Sequence, residues 1–182
     1  MYSENDSGMK TVAFPASRDH SPLAEAKRKL DLDPEAPHLV VLASNIPGDF
    51  LKDLLAIVYV GDEKDSEISV LCVNNGSLFK KLEAELGHLE TIHLYDADSD
   101  GSKLLDSADL LLTEEHDSVL GEALKRQLPL VLIGTAQQNA WSELVNQGCA
   151  VASQDNVELA EYCIKLLDNE ALRVKMSGAY WR

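Results

Sequence analysis

Glu114, Glu115, His116 and Asp117 stand in a row within LLLTEEHDSVLGEAL, Leu110 to Leu124. The apolar residues before them read as a buried strand, and SVLGEAL after them reads as a helix. A strand-to-helix turn is where α/β proteins usually hold a phosphate. The helix start there offers unpaired N–H groups and a partial positive charge. Here the turn carries acids. Each carboxylate can stabilise the helix start by ~0.3–1 kcal/mol, and each opposes an incoming anion. Two unit charges about 6 Å apart at an effective dielectric near 20 repel by roughly 3 kcal/mol. A divalent cation could bridge acids and diphosphate only if carboxylates converge at ligand distance, which neighbouring Glu114 and Glu115 do not guarantee. No metal site is assigned.

Other polar residues fall in comparable turns. Asn74-Asn75-Gly76 follows the apolar run EISVLCV, so Asn75 either caps the next helix or faces a ligand. Glu122 lies further along the helix after the acids, where it is either a solvated side chain or an acceptor for a sugar diol. Gln137, Gln138 and Asn139 open the helix after LPLVLIG, and either cap it or grip hydroxyl groups. The first strand is followed by ASNIPGDF, with one glycine where a dinucleotide fingerprint needs three. NAD binding is therefore not expected, and no cofactor is assigned. No serine or cysteine stands in a nucleophile-elbow motif, so no catalytic residue is assigned.

These turns need a scaffold, and the pattern supplies one. HLVVLAS, EISVLCV, ETIHLY, DLLLT, LPLVLIG and CAVAS are six short apolar runs separated by amphipathic helical segments. Strands apolar on both faces indicate a parallel sheet with helices on each side. The expected fold is α/β: a doubly wound, mostly parallel, six-stranded Rossmann-like sheet. Such sheets bind ligands beyond the carboxyl ends of the strands, at the switch point. Residues 1–20 are polar and aperiodic and read as a flexible tail or interdomain linker, leaving one domain at 21–182. Ser21-Pro22 is a suitable helix start, and Lys27-Arg28-Lys29 reads as a solvated helix face.

The chain has 182 residues and a net charge of −15, from 31 acidic and 16 basic side chains. That balance argues against nucleic acid and against anionic membrane surfaces as partners. The three cysteines, Cys72, Cys149 and Cys163, lack metal-ligand spacing and read as buried thiols of a reducing, cytoplasmic protein. The apolar runs are too short to cross a bilayer.

The stretch KLLDSADLLLTEEHDSVLGEALKRQLPLVLIG, then LVNQGCAV and NVELAEYCIKLLDNEALRVKM, resembles the C-terminal, donor-binding domain of B-type glycosyltransferases. The similarity is greatest to the group of the peptidoglycan N-acetylglucosaminyl transferase and the diacylglycerol glycosyltransferases. VLCVNNGSLFKKL is similar to another strand and helix of that family, and brings in Asn75. The resemblance implies that Glu122 binds the ribose of a UDP-sugar and that backbone near Asp100-Gly101 holds the uracil. It further implies that Gln137 and Gln138 meet the donor sugar. The family's K-P-G-G turn falls on Glu114, Glu115, His116 and Asp117, with Val119 at the threonine that follows and Ser118 just before it. The family's acceptor site and catalytic base belong to an N-terminal domain that is not in these residues. Two functions follow. One is the UDP-sugar-binding domain of a glycosyltransferase, inactive as an isolated chain and completed by an N-terminal acceptor domain. The other is a degenerate, non-catalytic binding or interaction module.

Overall fold

A computed structural model of the chain describes residues 21–96, 101–137 and 139–181. The proposed tail at 1–20, Asp100 of the expected uracil loop, and Gln138 lie outside the described residues, as do the side chains of Asp117 and Asn139.

Six strands form one sheet: β1 (His38–Ala43), β2 (Glu67–Cys72), β3 (Ile92–Tyr95), β4 (Leu110–Glu114), β5 (Leu130–Ile133) and β6 (Ala150–Ser153). All the pairings are parallel, and the order is β3-β2-β1-β4-β5-β6. The chain thus winds outward from β1 to one edge, returns, and winds outward from β4 to the other. The crossing between β1 and β4 leaves a crevice at the carboxyl ends of those strands.

The two-residue period of each strand feeds two cores. Leu39, Val41, Ile68, Val70, Leu110 and Leu112 face one layer, with α2 (Gly48–Gly61), α3 (Gly76–Leu86) and α7 (Asn156–Asp168). Val40, Leu42, Leu71, Leu111, Leu130 and Leu132 face the other, with α4 (Gly101–Asp106), α5 (Asp117–Arg126) and α6 (Asn139–Gln147). α1 (Pro22–Lys29) and α8 (Glu170–Gly178) complete the described helices, before a short 3-10 turn at Ala179–Trp181.

Helix starts follow the expected chemistry. Ser21 accepts from the Ala24 amide ahead of α1, Asp155 from Glu158 ahead of α7, and Asn169 from Leu172 ahead of α8. One expectation fails. Lys27 is not on a solvated face; it is 4% exposed, pairs with Asp109 at 2.7 Å and donates to the Ala36 carbonyl at 2.7 Å. Its neighbours Arg28 and Lys29 do stay at the surface. A basic triplet on an eight-residue helix has one position that must turn toward the sheet, and here Asp109 neutralises it.

Candidate functional site: the crevice between β1 and β4

Glu114 ends β4 directly beside the end of β1. Its carboxylate does not turn to the start of α5, as its place in the acidic row suggests. It crosses to the β1–α2 loop, where Oε1 accepts from the Ser44 amide at 2.7 Å, the Ser44 hydroxyl at 3.0 Å and the Asn45 amide at 3.1 Å. Oε2 lies 3.3 Å from the same Asn45 amide. Two successive backbone N–H groups aimed at one point make an anion-binding concavity, and here the anion belongs to the chain. The physical reason is proximity. Parallel pairing aligns Leu42 with Thr113, so the next residues, Ala43 and Glu114, leave the sheet side by side.

Glu114 also forms the wall between two hollows. One, of about 300 Å³, is bounded by Ser44, Asn74, Thr113, His116, Ser118 and Val119 among others. The other, of about 360 Å³, is bounded by Ile46, Pro47, Phe50, Ile133 and Gly134, with Asn45 and Glu114 shared between the two.

Asn75 does both things open to it, with different atoms. Its Oδ1 accepts from the Leu78 amide at 3.0 Å and caps α3, while its Nδ2 donates to the Ser44 carbonyl at 2.7 Å. It therefore fixes the loop whose amides Glu114 occupies. Ser118 stands at the mouth of the smaller hollow, its hydroxyl 2.8 Å from His116 Nδ1, with both side chains exposed. His116 occupies the cap position of α5, and its side chain accepts no hydrogen bond from the helix's backbone amides.

Glu115 takes a third direction. Its Oε1 is buried without a hydrogen-bond partner among the described residues, and its Oε2 lies beside Gly134. Gly134 has φ +148°, and a Cβ there would sit 3.0 Å from that oxygen, so the position favours glycine on both counts.

Glu122 does not line either hollow. It pairs with Arg126 at 3.0 Å and Lys125 at 3.2 Å, and Arg126 continues to Asp106 of α4 at 2.8 Å. Hydrogen bonds from Arg126 and then Lys125 hold the Glu122 carboxyl below its ordinary range. Gly101 begins α4, packed so that a Cβ would meet Leu71 at 3.2 Å. Gln137 is exposed on the β5–α6 loop. The structure thus gathers Asn75 and Ser118 around the crevice and leaves Glu122, Gly101 and Gln137 away from its walls. It adds Ser44, Asn45 and Asn74, which the sequence shows only as parts of the turns ASNIPGDF and Asn74-Asn75-Gly76. Among the described residues, no group of three or more His, Cys, Asp or Glu side chains is set to hold a metal ion. No described helix is long and apolar enough to cross a membrane.

No protein-family model matches the chain, and no curated protein matches it by sequence. Solved structures do match. MurG of Acinetobacter baumannii superposes at a TM-score of 0.63 with 14% identity, over 92% of this chain and 52% of its own. MnaA of S. aureus, solved with UDP, gives 0.66 and 18%, over 87% of this chain and 43% of its own. The UDP-GlcNAc 2-epimerase of Neisseria meningitidis, solved with UDP-GlcNAc, gives 0.66 and 13%, over 84% and 43%. The chain has the B-type glycosyltransferase fold. It spans about half or less of the length of each of these structures. The acidic turn follows β4, and Glu122 lies on α5.

Proposed function

We propose that this chain, glycosyltransferase-like in fold, serves as a degenerate, non-catalytic binding or interaction module that no longer binds nucleotide-sugar. The observation that carries this reading is the Glu114 carboxylate on the Ser44 and Asn45 amides. A diphosphate entering the crevice must displace that carboxylate or sit beside it. Both cost energy, the first through lost charge-assisted hydrogen bonds and the second through repulsion.

A second reading is favoured by a different observation. UDP and UDP-GlcNAc are bound by two of the similar structures, and Glu122 lies on α5. In that reading the chain is the donor half of a glycosyltransferase and works with an N-terminal acceptor domain. Glu122 would exchange Arg126 and Lys125 for the ribose hydroxyls.

Calorimetric titration with UDP and UDP-GlcNAc separates the two. The module reading predicts no heat of binding at millimolar ligand. Micromolar binding that vanishes in Glu122→Ala would establish the donor-site reading instead.

A further inference from the structure

The hollow of about 360 Å³ beside Glu114 joins apolar walls to negative charge that nothing balances. Ile46, Pro47, Phe50 and Ile133 supply the apolar surface, and Glu114 lines the same space. The nearby donors are already spent. The Ser44 amide, the Ser44 hydroxyl and the Asn45 amide converge on Glu114 Oε1 at 2.7, 3.0 and 3.1 Å. The Gly134 amide, also of the hollow's wall, donates to the Ser153 carbonyl at 2.9 Å. Acceptors, by contrast, are in surplus. An ionised carboxylate offers about four lone-pair sites over its two oxygens. Glu114 Oε2 uses them for one long contact, at 3.3 Å. Glu115 adds a second carboxylate beside Gly134, its Oε1 buried and unpartnered among the described residues. No lysine or arginine lines the hollow, and among the described residues no ion pair reaches Glu114 or Glu115.

We propose that this hollow binds an organic ammonium group carried on an apolar stem. The ammonium donates to Glu114 Oε2, and the stem packs against Ile46 and Ile133. The Phe50 ring adds an aromatic surface to which a cation is drawn. A largely apolar pocket with one placed charge is the usual composition of a small-ligand site. The inference rests on the reading that the crevice no longer takes nucleotide-sugar: the carboxylate that opposes a phosphate supplies the charge an amine needs. Charge decides the ligand class. An anion meets carboxylates and no free amide, and a neutral alcohol fills one lone pair without balancing the charge. A cation does both, through a charge-assisted hydrogen bond. The net charge of −15 also attracts cations from a distance.

The test titrates the full chain with hexylammonium, with hexanol as the neutral control of equal stem length, and follows the Asn45 and Gly134 amide resonances. The expected result is saturable shifts of both amides at millimolar hexylammonium, with affinity at least about fivefold tighter than for hexanol and weakening as salt is raised. Glu114→Gln removes the charge and keeps the shape, and should bring the two ligands to equal affinity. A capped Gly-Lys-Gly peptide assigns the source of the amine. Binding tighter than hexylammonium assigns it to a partner's lysine, and weaker binding to a free amine. Equal affinity for hexylammonium and hexanol in the wild type, or no shift at either amide, overturns the proposal. So does an unchanged preference for hexylammonium in Glu114→Gln. Titration with UDP tells the two possible failures apart. Silence toward both UDP and hexylammonium overturns the amine site alone, whereas micromolar UDP binding overturns the reading on which it rests.

Discussion

Hydrogen bonds from backbone amides to an ionised acceptor are each worth ~1.5–3 kcal/mol, more than neutral pairs. Glu114 accepts two amides and one hydroxyl, so it competes strongly with any exogenous anion for the same groups. The competition is also intramolecular, so the carboxylate is always present at high effective concentration. Asn75 holds the other side of this arrangement. Asn75→Ala removes the α3 cap and the tie to the Ser44 carbonyl together. A loss of about 1–2 kcal/mol in urea unfolding is expected, at the upper end for a cap substitution. A loss below ~0.5 kcal/mol would show that the loop holds its shape unaided.

Elements explain what could be read ahead of the structure. Six apolar runs spaced by amphipathic helices were enough for a parallel, doubly wound sheet, because both faces of each inner strand must be buried. The position of the acidic turn after β4 was equally legible. The direction of the Glu114 side chain was not, because it depends on β1 and β4 being neighbours, and a sequence does not display strand order. The same limit hid the buried partner of Lys27, since Asp109 lies far along the chain. It also left Glu122 open, because Lys125 and Arg126 compete with any ligand from the next turn of the same helix.

A polar network likewise joins elements distant in sequence. His38 of β1 is fully buried, with Nε2 2.7 Å from the Ser69 hydroxyl of β2 and Nδ1 3.1 Å from the Ser107 carbonyl after α4. Facing a carbonyl, Nδ1 carries the proton, and Nε2 accepts from Ser69. Burial lowers the His38 pKa from 6.5 to about 4, outweighing the hydrogen bond to the Ser107 carbonyl and the attraction of Asp109, which raise it. Between those values the unfolded chain holds a proton that the folded chain lacks. Stability therefore rises with pH through that window, is complete above about 6.5, and falls as the pH drops toward 4. The interval corresponds to roughly 3 kcal/mol. Urea unfolding at a series of pH values should show this slope, and His38→Gln should flatten it. An unchanged slope in that variant would assign the acid sensitivity to other groups.

At the scale of the whole molecule, 31 acidic side chains against 16 basic ones set a field that repels nucleotides before any contact forms. The crevice adds a fixed carboxylate where the fold's geometry presents amides. A fold shared with UDP-binding structures is therefore compatible with a site that no longer takes UDP, because fold and site are separable.

Glu114 occupies the Ser44 and Asn45 amides, and the resonances of those two amides report on it directly. UDP should be titrated into the wild-type chain and into Glu114→Gly while those two resonances are followed. The expected result is no movement in the wild type at millimolar UDP, and saturable shifts of both amides in the variant, with affinity at least about tenfold tighter. Saturable shifts of equal affinity in the two proteins would contradict it.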